Sequence, residues 1–234
     1  MNNLNPANFD VHRDFRGVMT AILNVSDQPV NVFNESVRHD LDELLRVVEH
    51  DESVRALVFR SGKESGFLAG ADLKVIGTLS TAEAAQEICW AGQGLMQRLA
   101  SLRIPTVAII RGVCLGGGLE FALACKYRIV VDDPRTKLGL PEVELGLMPG
   151  WGGTQRLPRL IGLSASLPML LTGKKVGAKD AAKLGLADVV CRPEEVDSQL
   201  AGLLDMHESG NPVANYQEDA SFKLGQPLFR LFRS

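Results

Sequence analysis

TVAIIRGVCLGGGLEFALACKYRIVV, residues 106–131, passes from one apolar stretch through a run of glycines into a second apolar stretch. TVAII (106–110) and YRIVV (127–131) are short and rich in β-branched residues, which reads as two buried strands. The glycines at 116–118 open a helix between them. Two strands joined through a helix lie parallel with a right-handed crossover. The same alternation lies upstream. GVMTAILN (17–24) and RALVFR (55–60) read as strands, and between them Asn34-Glu35-Ser36 precedes Val37, Leu41, Leu44, Leu45 and Val48, one apolar stripe at helical spacing. A further helix is expected over 81–102. Repeated strand–helix–strand order predicts an α/β architecture with a parallel sheet, and its irregular spacing excludes a solenoid.

Beyond Gly146 the pattern predicts helices at 152–161, 164–172 and 178–184, a last strand ADVVC at 187–191, and a helix at 194–206. Residues 208–226 turn polar, as a loop or loosely held tail, and the closing FRLFRS (229–234) is apolar and basic again, as in a chain cut short. The expected division is a core of residues 1–192 and a C-terminal helical segment and tail, truncated, of residues 193–234.

A chain of 234 residues suits one domain able to build a core without disulfide or metal staples. Its net charge of −3 and pI near 5.8 lack the basic footprint that phosphate backbones require, so no nucleic acid partner is expected. The four cysteines form no CxxC pair and read as buried, reduced thiols. Residues 1–14 have neither a secretory nor a transit character, and no run of 18 apolar residues occurs. A soluble, cytoplasmic protein in a reducing compartment is expected, without a membrane span.

Three glycine-bearing segments carry candidate chemistry. In RGVCLGGGLE (111–120), each glycine inside a helix would cost about 0.5–1 kcal/mol relative to alanine. Three at a helix start therefore indicate a special backbone shape, a close approach, or a tight strand-to-helix turn. Free N–H groups and the helix dipole there favour a negatively charged oxygen. The segment is not a P-loop, a dinucleotide fingerprint or a nucleophile elbow. Glu120 lies one turn into the helix among apolar residues, where burial would raise its pKa; a dipole-favoured acid of the first turn is the plainer alternative. LGLPEVELGLMPGWGG (138–153) holds a second carboxylate, Glu142, after Pro141, and the two acids are candidates for an acid/base pair on one water. SGFLAGADLK (65–74) is a small-residue loop following the strand RALVFR, where a parallel sheet opens its ligand crevice.

FLAGADL, RGVCLGGGLE and LGLPEVELGLMPGWGGTQRLPRLIG, in that order, resemble the crotonase (enoyl-CoA hydratase/isomerase) family, in the subtype fused at the front of the multifunctional fatty acid oxidation α subunit. The resemblance runs from about Gly17 to Cys191. It implies a spiral of ββα units with a helical C-terminal region through which trimers form. Ala71 and Gly117 match the two residues whose N–H groups hold the thioester oxygen, Glu120 and Glu142 the two catalytic acids of a hydratase, and Gly150 a glycine beside the catalytic water. Ala69, Asp72 and Lys74 match the stretch lining the CoA adenine and diphosphate; Glu144 matches no catalytic position. The implied activity is hydration of trans-2-enoyl-CoA in fatty acid β-oxidation, with no metal or redox cofactor, coenzyme A being part of the substrate. Homo-oligomers of trimer type, or a place in a fatty acid oxidation complex, are implied as assemblies. Double-bond isomerisation and a non-catalytic acyl-CoA-binding or assembly module are the alternatives. Trp151 departs from the family pattern, occupying a place usually held by a smaller residue; it narrows the acyl pocket or stacks outside it.

Overall fold

The computed structural model describes residues 6–211. It opens with β1 (Phe9–Arg13), β2 (Val18–Leu23) and α1 (Glu35–His50). Next come β3 (Ala56–Ser61), β4 (Gly66–Leu68), α2 (Leu73–Gly77) and α3 (Ala82–Ala100), then β5 (Thr106–Ile110), β6 (Val113–Leu115) and α4 (Gly117–Ala124). β7 (Tyr127–Val131) and β8 (Lys137–Gly139) lead through a 3₁₀ turn (Pro141–Leu145) to α5 (Gly153–Ile161), α6 (Leu163–Thr172) and α7 (Ala178–Leu184). β9 (Val189–Cys191), a second 3₁₀ turn (Pro193–Glu195) and α8 (Val196–Glu208) complete the described chain.

Three successive units repeat one device. The first strand of each pair (β3, β5, β7) enters a six-stranded sheet of order β1-β2-β3-β5-β7-β9, and the second (β4, β6, β8) enters a three-stranded sheet of order β4-β6-β8. Helical structure follows each pair. Apart from the antiparallel β1–β2 edge, the pairings between strands among the described residues are parallel, and Val176 adds an isolated antiparallel bridge to Leu138. This is the expected ββα spiral.

The central strands β5 and β7 are buried along their whole length, and β3 over its first four residues, because both faces of the sheet are covered there. Leu57, Phe59, Ala108, Ile110 and Val130 join the main core with α1, α3 and α4. The alternate residues Val58, Val107, Ile109, Ile129 and Val131 pack beneath Val196, Leu200, Leu203 and Leu204 of α8. The predicted stripe of α1 is buried, and Asn34 Oδ1 caps the helix by accepting from Val37 N at 2.9 Å. Between β7 and the approach to β9, Arg128 and Asp188 form a buried ion pair at 2.7 Å.

Some elements differ from the sequence reading. β1 lies within the polar first segment, and of its five residues only Phe9 is buried; an edge strand with one side chain inward carries little apolar alternation. β4, β6 and β8 have three residues each, too few for a period of two to register, and β4 falls inside the segment expected as a small-residue loop. The helix expected at 194–206 is α8, entered through a 3₁₀ turn over Pro193–Glu195, so that it starts and ends two residues later. Expectations for 212–234, including most of the polar tail and the closing FRLFRS, lie outside the described residues.

Candidate active site

In the small sheet, parallel pairing brings the C-terminal ends of β4, β6 and β8 to one edge, where open parallel sheets offer their ligand crevice. β4 runs into Ala69-Gly70-Ala71, β6 into Gly116-Gly117, and β8 into Leu140-Pro141-Glu142. Gly116 N donates to Gly139 O at 2.9 Å, and Ala69 N to Asn31 O at 2.9 Å. Asn31 is buried, and its amide also donates to Leu23 O and Phe67 O. It stitches β2 to β4 and so steadies the Ala69–Ala71 stretch.

The glycines answer to two separate demands. Gly116 has φ +54° and Gly70 φ +101°, a region where side chains are strained. Gly118 is excluded from change by contact: a methyl there would stand 2.2 Å from the Leu68 carbonyl oxygen. On the other side of the same junction, a methyl on Gly70 would lie 3.5 Å from Gly117 N. The backbone around Ala71 thus lies close against the start of α4. Gly117 begins that helix, so its N–H has no intrahelical acceptor. Among the described residues neither Gly117 N nor Ala71 N donates a hydrogen bond.

Glu120 is 2% exposed, and its Oε1 accepts from Trp151 N and Gly153 N, both at 2.7 Å. Burial raises its pKa, while those two N–H groups and the charge of Arg156 work the other way. Glu142 has no comparable support. It is half-buried on the 3₁₀ turn, and its Oε2 is buried without a hydrogen-bond partner among the described residues. Its Oε1 lies 2.8 Å from the position a methyl on Gly116 would take. Burial first, with the Glu120 charge added, pushes Glu142 up to about 7. The two carboxyl groups therefore feel each other, and their surroundings treat them differently.

A stability consequence follows from Glu142. Its native pKa lies above its ordinary value, so the native state holds the proton more tightly than the unfolded chain. The stabilisation is complete below the unfolded pKa near 4.5 and is lost as pH rises through about 7. Glu142→Gln removes that dependence. The Tm of the variant minus that of the parent chain should therefore rise by a few degrees between pH 5 and pH 8, in a thermal melt series, and a flat difference would contradict the burial described.

Trp151, the departure from the family pattern, is a core residue. Its indole is 7% exposed and lies inside, against α3 and α4. Methyl groups on Gly92 and Gly117 would stand 2.2 and 2.6 Å from the ring. Phe33 meets it edge-on, with centroids 5.0 Å apart. A hollow of about 290 Å³ is bounded by Phe33, Ala71, Asp72, Ile76, Ile88 and Trp151. Neither Glu120 nor Glu142 belongs to its wall.

Of the other expected site residues, Gly150 sits beside Trp151 and its carbonyl accepts from Gln93 Nε2 at 2.8 Å. Asp72 borders the hollow, and the N–H of Ala69 is engaged by Asn31. Lys74 belongs to α2, and its side chain lies outside the described part of the structure. Glu144 is exposed and pairs with Lys175 at 3.0 Å. Asn31, Gly92, Gly153 and Arg156 were missed from the sequence; only Gly92, a glycine within a long helix, carried a local signal of close packing. Among the described residues there is no grouping of three or more His, Cys, Asp or Glu suited to a metal ion, and no helix long and apolar enough to cross a membrane. The four cysteines are free thiols, three of them buried.

The ββα spiral with this convergence of N–H groups and carboxyls defines the class: residues 17–217 match the Enoyl-CoA hydratase/isomerase family, and the chain belongs to it. It is accordingly of an enzyme family that acts on enoyl-CoA. The chain is 45% identical over 193 residues to the fatty acid oxidation complex subunit alpha of Shewanella loihica, a match covering 82% of this chain and 27% of that protein. With the Vibrio campbellii protein of the same name it is 41% identical over 227 residues, covering 96% of this chain and 32% of the relative. The chain thus spans about a third of the length of these curated relatives. Among solved structures, an enoyl-CoA hydratase from Bacillus anthracis superposes with a TM-score of 0.79 at 30% identity, over 86% of this chain and 77% of the other. DspI of Pseudomonas aeruginosa superposes with a TM-score of 0.79 at 28% identity, over 96% and 87%.

Proposed function

We propose that this chain is an enoyl-CoA hydratase, adding water across the 2,3 double bond of trans-2-enoyl-CoA thioesters in fatty acid β-oxidation. The observation that carries the reading is the unequal setting of two neighbouring carboxyls beside two unengaged backbone N–H groups. Glu120, held by two N–H donors near Arg156, suits a carboxylate that orients water and takes its proton. Glu142, with a buried oxygen lacking a partner and its pKa pushed up to about 7, suits the protonated acid.

In this mechanism the thioester oxygen binds the N–H groups of Ala71 and Gly117. As the water oxygen bonds to C3, its proton passes to Glu120 and the π electrons move toward C2 and the thioester oxygen. The two fixed donors stabilise that charge because they need not reorganise. Glu142 then delivers its proton to C2, and the proton on Glu120 must return to the pair before the next turnover. Water is the only co-reactant, so the balance calls for no redox cofactor or metal, and coenzyme A enters as part of the substrate. Gly150, adjoining the residue that binds Glu120, belongs beside the water. Ala69, Asp72 and Lys74 fall on the segment assigned to the CoA end. The names of the curated relatives support work within a fatty acid oxidation complex, and a homo-oligomer of trimer type is the other assembly the family resemblance implies.

Purified protein mixed with crotonyl-CoA should lose the conjugated enoyl absorbance and yield a 3-hydroxyacyl-CoA by mass spectrometry. Because the C2 proton donor must start protonated, kcat/KM should decline above about pH 7. Failure to hydrate any 2-enoyl-CoA, or conversion of 3-enoyl-CoA alone, would overturn the proposal.

A further inference from the structure

We infer that Trp151 sets the acyl-length limit of the site, closing it to all but short 2-enoyl chains; the inference rests on the hydratase reading above. Trp151 borders two hollows. One is the hollow of about 290 Å³ that contains Ala71, whose N–H is one of the two thioester donors. The other, about 850 Å³, opens on the far side between α3 and the start of α5, bounded by Trp90, Gln93, Gln97, Gly150, Thr154 and Arg156. Trp151 stands in the wall of both. The ring is wedged: Gly92 and Gly117 carry no side chain where it touches them, and Phe33 closes its edge. An acyl chain held by its thioester beside Ala71 and extending away from the CoA end meets this indole, and beyond it lies open volume. The ring therefore acts as a partition. Its backbone serves separately, since Trp151 N holds Glu120 and any side chain at 151 retains that N–H.

Each methylene newly buried is worth about 0.8 kcal/mol, or roughly fourfold in kcat/KM. Opening a passage for three or four methylenes should then raise discrimination toward longer chains by about a hundredfold. The test compares Trp151→Leu and Trp151→Phe with the parent on trans-2-enoyl-CoA esters of 4, 8 and 12 carbons. In the parent, kcat/KM should peak at the short esters. In Trp151→Leu the ratio of kcat/KM for the 12-carbon over the 4-carbon ester should rise by about a hundredfold, with Trp151→Phe intermediate. A ratio is used because general loosening of the fold lowers all lengths together and leaves it unmoved. Calorimetric binding of saturated acyl-CoAs to the parent protein supplies a reading independent of the variants: affinity should stop improving beyond a short chain. An unchanged ratio in both variants, or affinity that climbs steadily to 12 carbons in the parent, would overturn the inference. Hydration of crotonyl-CoA by the parent protein with unchanged ratios would defeat the Trp151 assignment alone, whereas absence of hydration at every length would defeat the hydratase reading itself.

Discussion

Glu120→Gln should lower kcat for hydration by about 10³-fold, equivalent to about 4 kcal/mol of transition-state stabilisation, while leaving the fold intact. The separation of these effects comes from the hydrogen bonds. Glu120 Oε1 accepts from the backbone of Trp151 and Gly153, and a glutamine carbonyl oxygen accepts the same two bonds. What the amide cannot do is take a proton from water. Burial on balance raises the pKa of Glu120, and the two N–H donors and the charge of Arg156 oppose that rise, which favours the ionised form a base needs. Stopped-flow or steady-state kinetics on crotonyl-CoA, with thermal melts in parallel, give the result. Activity within tenfold of the parent would remove Glu120 from the mechanism, and a collapse in Tm would make its role structural.

Gly118→Ala should be as damaging by a different route. The methyl would stand 2.2 Å from the Leu68 carbonyl oxygen, a contact that backbone must relieve by moving about 1 Å. That motion separates the end of β4 from the start of α4, and with them the N–H groups of Ala71 and Gly117. A displacement of about 1 Å in a positioned group can cost about 10²-fold, and loss of one oxyanion donor about 10² to 10³-fold. Overpacking adds about 1–3 kcal/mol of destabilisation. A fall in kcat/KM of at least about a hundredfold is expected, together with a lower Tm. Gly202→Ala in α8, where nothing lies within 4 Å of the new methyl, is the matched control and should slightly stabilise the helix. Near-parental kinetics in Gly118→Ala would show that β4 and α4 are not held in the register described.

Elements that bury one continuous face were legible in the residues. α1 announced itself through Val37, Leu41, Leu44, Leu45 and Val48 because helical spacing and burial coincide there. TVAII and YRIVV could be read as buried strands because both of their faces are covered. Three-residue strands such as β6 left no such trace, and neither did β1, whose exposed side chains hide its pairing with β2. Of the candidate site, the glycine runs and the two glutamates stood out as motifs. Asn31 and Arg156 did not, because a buried amide that bridges β2 to β4, or an arginine whose charge bears on a carboxylate, is defined by neighbours far away in the chain.

The order of residues by itself determined the α/β class, the repeat of strands and helices, and which two acids were candidates for chemistry, since periodicity and side-chain type are local properties; Ala71 and Gly117 entered only through the resemblance of their motifs to the family. Only the tertiary structure decided that Trp151 lies inside against Gly92, Gly117 and Phe33, that Glu120 is supported where Glu142 is not, and that the glycines at 70 and 118 answer to strain in one case and contact in the other. Those are matters of distance and burial between segments, and local periodicity carries no record of them.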